Sequence, residues 1–319
     1  LLEAGETDTA ITVLTDLAAS GDSRQKLNAL LELNRLHEFL GDFDGATAAA
    51  REALALLHFK NHEHGELFSR LVQIHERFDR LEELERSLVD AASGTNPTEA
   101  TLFAIAEFYR LTAHLQKEEK AVGDLVRALP GRLEYRIRLA DIQMANDHYD
   151  EAAATLDEVL QAQAEVPLHL ILRRARIAIH GENRAAASQF LSDFLGHQSV
   201  TRDGRREIID FARDNYLDDL VERLLRDLPG EDDPPGEQTA APIELARFLH
   251  ERGRREQALE TLRLHVAAAG DAPLEKATRL SHISSVLKDL DQPDEALAAI
   301  DEALDLFPDN HDFLSARAD

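Results

Sequence analysis

The chain is predicted to be all-α, an α-solenoid of antiparallel helix pairs, and three observations carry that prediction. First, Ala277 to Asn310 reads as one 34-residue unit of two helices and a polar turn. Leu280, Ile283 and Leu287 form one stripe of its first helix, Asp291-Gln292-Pro293-Asp294 makes the turn, Ala296, Ile300 and Ala303 line the second helix, and Pro308 closes the unit. Second, a tight position on the second helix recurs down the chain at Ala10, Ala46, Leu84, Ala121, Ala152, Ala186, Leu220, Ala258 and Ala296, in steps of 31 to 38 residues. Third, Pro229 to Pro242 is the one stretch that breaks the pattern. Self-similarity at such a period means stacked supersecondary units. A pair with apolar residues on more than one face cannot bury them alone, so stability becomes a sum of neighbour interfaces.

Residues 1–20 read as the end of one helix, a turn at Gly5-Glu6-Thr7-Asp8, and a second helix with Ala10, Leu14 and Leu17. Its first-helix partner is missing, as expected of an array excised from a longer protein. The second unit has Leu27, Leu30, Leu33 and His37, then Gly41-Asp42 and Ala46, Ala50 and Ala53. Gly tolerates the left-handed conformation that ends a helix, and a carboxylate suits the N-terminus of the next. The third runs from about Gly65 with Phe68, Leu71 and His75, then Leu84, Leu88 and Ala91. In the fourth, Thr98 is the N-cap, and Leu102, Ile105, Phe108, Ala121 and Leu125 form the core. The fifth turns at Asn146-Asp147-His148, with Leu139, Leu156 and Val159 behind it.

In the sixth, Pro167 starts a helix with Ile171, Ala175 and Ala178, and Gly181 turns the chain toward Phe190, Leu191 and Phe194; the register there is open by one residue. The seventh keeps Ile208, Phe211, Leu217, Leu220 and Leu224 but lacks small residues. The eighth resumes with Leu245, Leu249, Gly253, Ala258 and Leu262. His311 to Asp319 starts a further first helix. The expected organisation is an array over 1–228 with about six full pairs after the orphan helix, a Pro-rich acidic loop or hinge over 229–242, and two further pairs plus the start of a next helix over 243–319.

Those positions of Ala277–Asn310 are where a tetratricopeptide repeat wants bulky, Leu, aromatic, Ala, aromatic or Ile, Ala and Pro, and the unit resembles that repeat. The resemblance extends over nearly the whole chain and is most specific in the second, fifth and ninth units. It implies a right-handed superhelix whose first helices line a groove, and a non-enzymatic scaffold for protein–protein interaction without a cofactor. Carried over by repeat position, it places partner-binding residues at Arg35, Glu38, Arg70, Gln73, Glu76, Arg77, Glu107, Arg110, His114, Arg138, Asp141, Arg247 and His250. The same residues also suit a solvated face of internal Glu–Arg pairs. The Lys and Asn pattern by which chaperone-docking members clamp a C-terminal carboxylate is absent.

Net charge is −26 over 319 residues. Such a surface repels nucleic acid and anionic membranes and steers basic segments or cationic polymers toward itself; solubility or adaptation to high salt accounts for it equally. Only six of 35 basic residues are Lys. No Cys is present, which excludes disulfides, thiolate metal sites and Cys nucleophiles. No apolar run approaches a membrane span of roughly 18 residues. Neither a phosphate-binding glycine loop, a Rossmann pattern, H-E-x-x-H nor G-x-S-x-G occurs. Ser285-Val286-Leu287-Lys288 matches S-x-x-K without companion motifs, and His58, His62 and His64 have irregular spacing that favours solvated side chains over metal ligands. His37 and His75 hold equivalent repeat positions, as packing residues do.

Charge is uneven along the chain. Asp141–Glu165 carries seven acids and Asp289–Asp312 nine, neither with Lys or Arg, while Arg173, Arg174, Arg176, Arg202, Arg205 and Arg206 lie between. Long Ala- and Arg-rich arrays of this kind resemble the periplasmic parts of exopolysaccharide-export proteins. That likeness implies a bacterial envelope scaffold in the periplasm, recruiting a polysaccharide-modifying enzyme and accompanying a cationic polysaccharide. The alternative is a cytoplasmic adaptor or assembly factor binding a basic peptide segment.

Overall fold

The computed structural model describes residues 7–94, 97–197, 200–227 and 240–318, in which eighteen helices and no strand are found. Two compact units, Leu1–Val166 and Pro167–Asp319, divide the chain. In the first, the orphan α1 (Thr7–Ser20) precedes four pairs. These are α2 (Ser23–Leu40) with α3 (Phe43–Leu56), α4 (His62–Arg77) with α5 (Leu81–Ala92), α6 (Glu99–Leu111) with α7 (Leu115–Ala128), and α8 (Leu133–Ala145) with α9 (Tyr149–Gln161). In the second, α10 (Leu168–His180) pairs with α11 (Arg184–His197), and α12 (Arg202–Asp214) with α13 (Asp218–Asp227). Then α14 (Ala240–Glu251) pairs with α15 (Arg255–Ala267), α16 (Pro273–Asp289) with α17 (Pro293–Leu306), and α18 (His311–Ala318) follows. The helix order thus gives eight pairs, with one helix before them and one after, among the described residues. Of the expected loop over 229–242, residues 229–239 lie outside the described residues, and Ala240 to Pro242 open α14.

All eight pairs turn in the same way. One residue after each first helix has a positive φ: Gly41, Asp79, Ala113, Asp147, Glu182, Tyr216, Gly253 and Asp291, at 56° to 74°. Its N–H bonds to the carbonyl three residues back, and the next N–H to the carbonyl five residues before it, as in Asp42 to His37 at 2.9 Å and Gln292 to Leu287 at 2.8 Å. This is the Schellman motif, which satisfies carbonyls orphaned at a helix end. Only two of the eight left-handed residues are Gly, so in six turns an exposed side chain sits on a conformation that costs roughly 1–2 kcal/mol, against the two hydrogen bonds that close the turn.

The turn fixes the register. Seven residues before it and five after it stand two buried positions: Asn34 and Ala46, Val72 and Leu84, Ala106 and Glu118, Ala140 and Ala152, Ala175 and Ala187, Ile209 and Val221, Ala246 and Ala258, Ser284 and Ala296. None is more than 5% exposed. In the first and last pairs the helices are tied by a side chain: Asn34 Nδ2 donates to the Ala46 carbonyl at 2.9 Å, and Ser284 Oγ to that of Ala296 at 2.8 Å. Three sequence assignments are corrected here. The tight residue is Glu118, not Ala121; Ala187, not the exposed Ala186; and Val221, not Leu220. Ala121 and Leu220 are buried but sit elsewhere on their helices.

Other local expectations hold. Asp42 Oδ1 caps α3 through the Gly45 N–H at 3.0 Å, and Thr98 caps α6 through that of Thr101 at 3.2 Å. First helices also touch the next first helix, α4 with α6, α10 with α12, and α16 with α18. Inside the first unit one apolar core runs from Ala18 to Ile142; inside the second, Ala277, Leu280, Ile300, Ala303 and Phe313 form a cluster around the last pair.

Candidate partner-binding face

Measured from the left-handed turn residue, the expected site residues fall on few offsets. Arg35, Gln73, Glu107, Asp141 and Arg247 stand six residues before it, Glu38, Glu76, Arg110 and His250 three before it, and Arg70 and Arg138 nine before it. Steps of three along a helix share a face. Arg77 stands two before the turn residue, off these steps, and His114 does not belong with them either. It is the exposed residue immediately after the turn, its Nδ1 2.9 Å from Thr112 Oγ1.

The structure gathers most of the first-unit residues into two ion-pair clusters. Glu38 on α2 accepts from Arg70 on α4 at 2.7 and 3.1 Å and from Arg77 at 3.3 Å. Glu107 on α6 accepts from Arg110 at 2.8 Å and from Arg138 on α8 at 2.5 Å, and Arg138 also reaches Glu118 on α7 at 2.8 Å. Each cluster therefore spans consecutive pairs. Arg35 instead pairs along its own helix with Glu32 at 2.6 Å, while Gln73 and Glu76 are exposed. In the second unit Arg247 on α14 meets Asp289 on α16 at 3.0 Å; His250 and, in the first unit, Asp141 are half-buried.

Between α2, α4 and α6 lies a cleft of about 600 Å³ lined by Glu38, Ser69, Arg70, Gln73, Arg110 and Leu111. Beside it a smaller one of about 200 Å³ is walled by Phe59, Phe68 and Phe103, with Lys60, His64 and Glu107 at its edge. Arg77 and Arg110 are exposed, and their ion pairs contribute little to stability, whereas Arg138 is mostly buried between Glu107 and Glu118. Each fork has five donors in a fixed plane, and two of the forks, Arg70 and Arg110, line the larger cleft.

Sequence reading missed the clamp beside this face. Lys60 bonds Glu99 and Glu134, each at 2.9 Å, and lies over the Tyr135 ring at 5.1 Å. Tyr135 donates to Glu99 at 2.6 Å. Those bonds raise the Lys60 ammonium above its ordinary range, the Glu134 bond most, and lower the Glu99 carboxyl, chiefly through Tyr135. The signal was present in His58-Phe59-Lys60, a run read for its histidines. Those histidines have separate neighbours: His58 stacks on Phe59 at 4.9 Å, His64 on Phe68 at 6.4 Å, and His62 is 3.8 Å from Glu66. No group of three metal-ligating side chains occurs among the described residues. His75 is buried, its Nδ1 2.8 Å from the Leu71 carbonyl, with burial pushing its pKa down. Lys288 of the S-x-x-K match bonds the Ala316 carbonyl at 2.8 Å. No helix among the described residues is long and apolar enough to cross a membrane.

Comparison with curated proteins finds no match. Among solved structures the chain is similar to a tetratricopeptide repeat protein from Parabacteroides merdae, at 14% identity and TM-score 0.30, over 92% of this chain and 98% of that one. It is also similar to the C-terminal part of a TPR repeat-containing protein from Cytophaga hutchinsonii, at 13% identity and TM-score 0.35, over 99% and 96%. A third similarity, at 18% identity and TM-score 0.37, is to Naa15/Naa10 bound to HypK-THB, over 92% of this chain and 38% of that one. Scores this low bear neither on overall shape nor on binding. The family comparison is local and specific: residues 277–310, from the second turn of α16 to the close of the unit, match the tetratricopeptide repeat. The α16–α17 pair thus matches the tetratricopeptide repeat, and the other seven pairs share its turn geometry and its pair of buried positions.

Proposed function

We propose that this chain is a non-enzymatic scaffold that docks a protein partner along the first-helix face of its first unit. The supporting observation is the cleft between α2, α4 and α6, lined by Arg70, which is held on Glu38, and by Arg110, which is held on Glu107. Pre-ordered guanidinium groups lose little side-chain entropy when they meet a partner's carbonyl or carboxylate oxygens. A net charge of −26 adds long-range steering of partners with basic segments. The test is quantitative crosslinking of the full chain in its host cells, comparing the parent with Arg70→Ala and Arg110→Ala. Selective loss of the same partner from both variants, each with parental helicity, is expected. Retention of every crosslinked protein by both contradicts the reading.

The setting we propose is the periplasm of a bacterium, with the scaffold recruiting a polysaccharide-modifying enzyme during exopolysaccharide export. The acidic surface supports it, since a partly deacetylated glycan is cationic. Titrating deacetylated and fully acetylated glycans against the chain at low and moderate salt tests this setting. Tighter, salt-sensitive binding of the deacetylated polymer is expected. Equal or absent binding removes the glycan and leaves the protein partner, in the cytoplasmic adaptor reading as well.

A further inference from the structure

The last two pairs of the second unit leave a cleft of about 380 Å³ unconnected with the face described above. It lies between the second helices α15 and α17, with the first helix α16 as its floor. Three stripes of the same spacing line it. Leu259, Leu262 and Val266 come from α15, Leu280, Ile283 and Leu287 from α16, and Glu295, Ala298, Ala299 and Glu302 from α17. Each stripe steps three or four residues and then seven, the arrangement by which helices pack against one another. The third stripe is unlike the others: alanines stand where bulky residues would close the gap, and carboxylates stand two turns apart at its ends.

We propose that this cleft receives an amphipathic helix of a partner protein, with large aliphatic side chains on its buried stripe and Lys or Arg along the flank that faces α17. A docked helix would present its own stripe to the half-buried Leu259, Val266 and Ala299 and the exposed Ala298, above a floor of buried Leu280 and Ile283. The charge pattern selects its flank. From Asp289 to Asp312 the chain has nine acids and no Lys or Arg, and α17 contributes Asp294, Glu295, Asp301, Glu302 and Asp305. Glu295 and Glu302 already meet Arg255 at 3.3 Å and Lys276 at 2.8 Å. Those pairs are half-exposed surface pairs and weak, so the carboxylates share partners at little cost. Seven residues span about 10.5 Å of helix, so cations two turns apart on the docked helix meet both carboxylates at once. Arg263 on the α15 wall makes the opposite flank less hospitable to cations, which fixes the direction in which the charged edge faces.

The probe is a synthetic 21-residue helical peptide with a leucine stripe and lysines along one flank, titrated against the full chain. Two controls carry alanine in place of the leucines, or glutamate in place of the lysines. Binding of the leucine–lysine peptide is expected at least tenfold tighter than either control, with affinity falling as salt rises. Ala298→Phe fills the cleft and should weaken binding at least tenfold while leaving helicity unchanged. Glu295→Lys with Glu302→Lys keeps the cleft open and should reverse the preference toward the glutamate-flanked peptide. Arg70→Ala, on the first-unit face, should leave peptide affinity at the parental value. The proposal is overturned by no measurable binding, by equal binding of the three peptides, or by a folded Ala298→Phe chain that binds as the parent does.

Discussion

Adjacent alanines in α11 offer an internally controlled test of the register. Ala187 is fully buried and lies five residues after the left-handed Glu182, while Ala175, also fully buried, holds the matching place on α10. Ala186, one residue earlier, is exposed. Leucine at 187 forces three additional carbons into a crossing that has no open space, an overpacking that costs about 1–3 kcal/mol. Leucine at 186 points to solvent and should stay within about 0.5 kcal/mol of the parent. Urea denaturation followed by far-ultraviolet circular dichroism reads both, with a shifted midpoint expected for Ala187→Leu alone. A destabilised Ala186→Leu chain beside a parental Ala187→Leu chain would refute the rule that the turn sets the crossing.

Three further outcomes follow from individual contacts. Glu118 is nearly buried at a position held by alanine in five pairs, and Arg138 is its partner. Removing Arg138 leaves a buried carboxylate uncompensated, so Arg138→Ala should cost about 3 kcal/mol, Glu118→Ala far less, and the double variant should recover most of the loss; urea midpoints measure all three. Ala113 holds φ at 56° without being Gly. Ala113→Gly should therefore raise stability by about 0.5–1 kcal/mol, whereas Gly41→Ala, at φ 74°, should lower it by about 1 kcal/mol, both read from thermal melts. His265 is buried, and burial first, then Arg279 and His282, pushes its pKa down to about 4. The unfolded residue binds a proton below about 6.5. Its contribution is thus complete above that value and declines as pH falls toward 4, by on the order of 3 kcal/mol. Stability measured across that range should slope less steeply for His265→Gln.

The helix pairs were legible because stacking demands the same few residues in each of them. Leu30, Leu33, Ala46, Ala50 and Ala53 are all buried as the periodicity requires, and turns such as Gly41-Asp42 carry their own chemistry. What misled sequence reading was the search for a small residue at the crossing. In the α6–α7 pair that place is filled by Glu118, which Arg138 satisfies from the following pair, a contact 20 residues away in sequence. In the α12–α13 pair Ile209 and Val221 fill it together. A rule of five residues past the turn would have found both, but six of the eight turn residues are not Gly and give no compositional sign. For the candidate face, repeat position located Glu38, Arg70, Glu107 and Arg138 correctly on the first helices. It could not reveal that these acids and bases join across consecutive pairs, because side-chain reach, unlike helix period, leaves no mark in the sequence. Lys60 was missed for the same reason, its two carboxylates lying 39 and 74 residues further on.

Neighbour-only coupling is the physical core of the whole description, and native-state hydrogen exchange on Ala296→Leu measures it most directly. Ala296 is buried opposite Ser284 at the crossing of α16 and α17, so overpacking there strains the last pair first. In a solenoid the loss of protection stays near the damaged interface. The expected result is faster exchange confined to α14 through α18, with the amides of α2 to α9 protected as in the parent. Equal loss of protection in every helix would contradict a stack of pairs and would require a single cooperative globule.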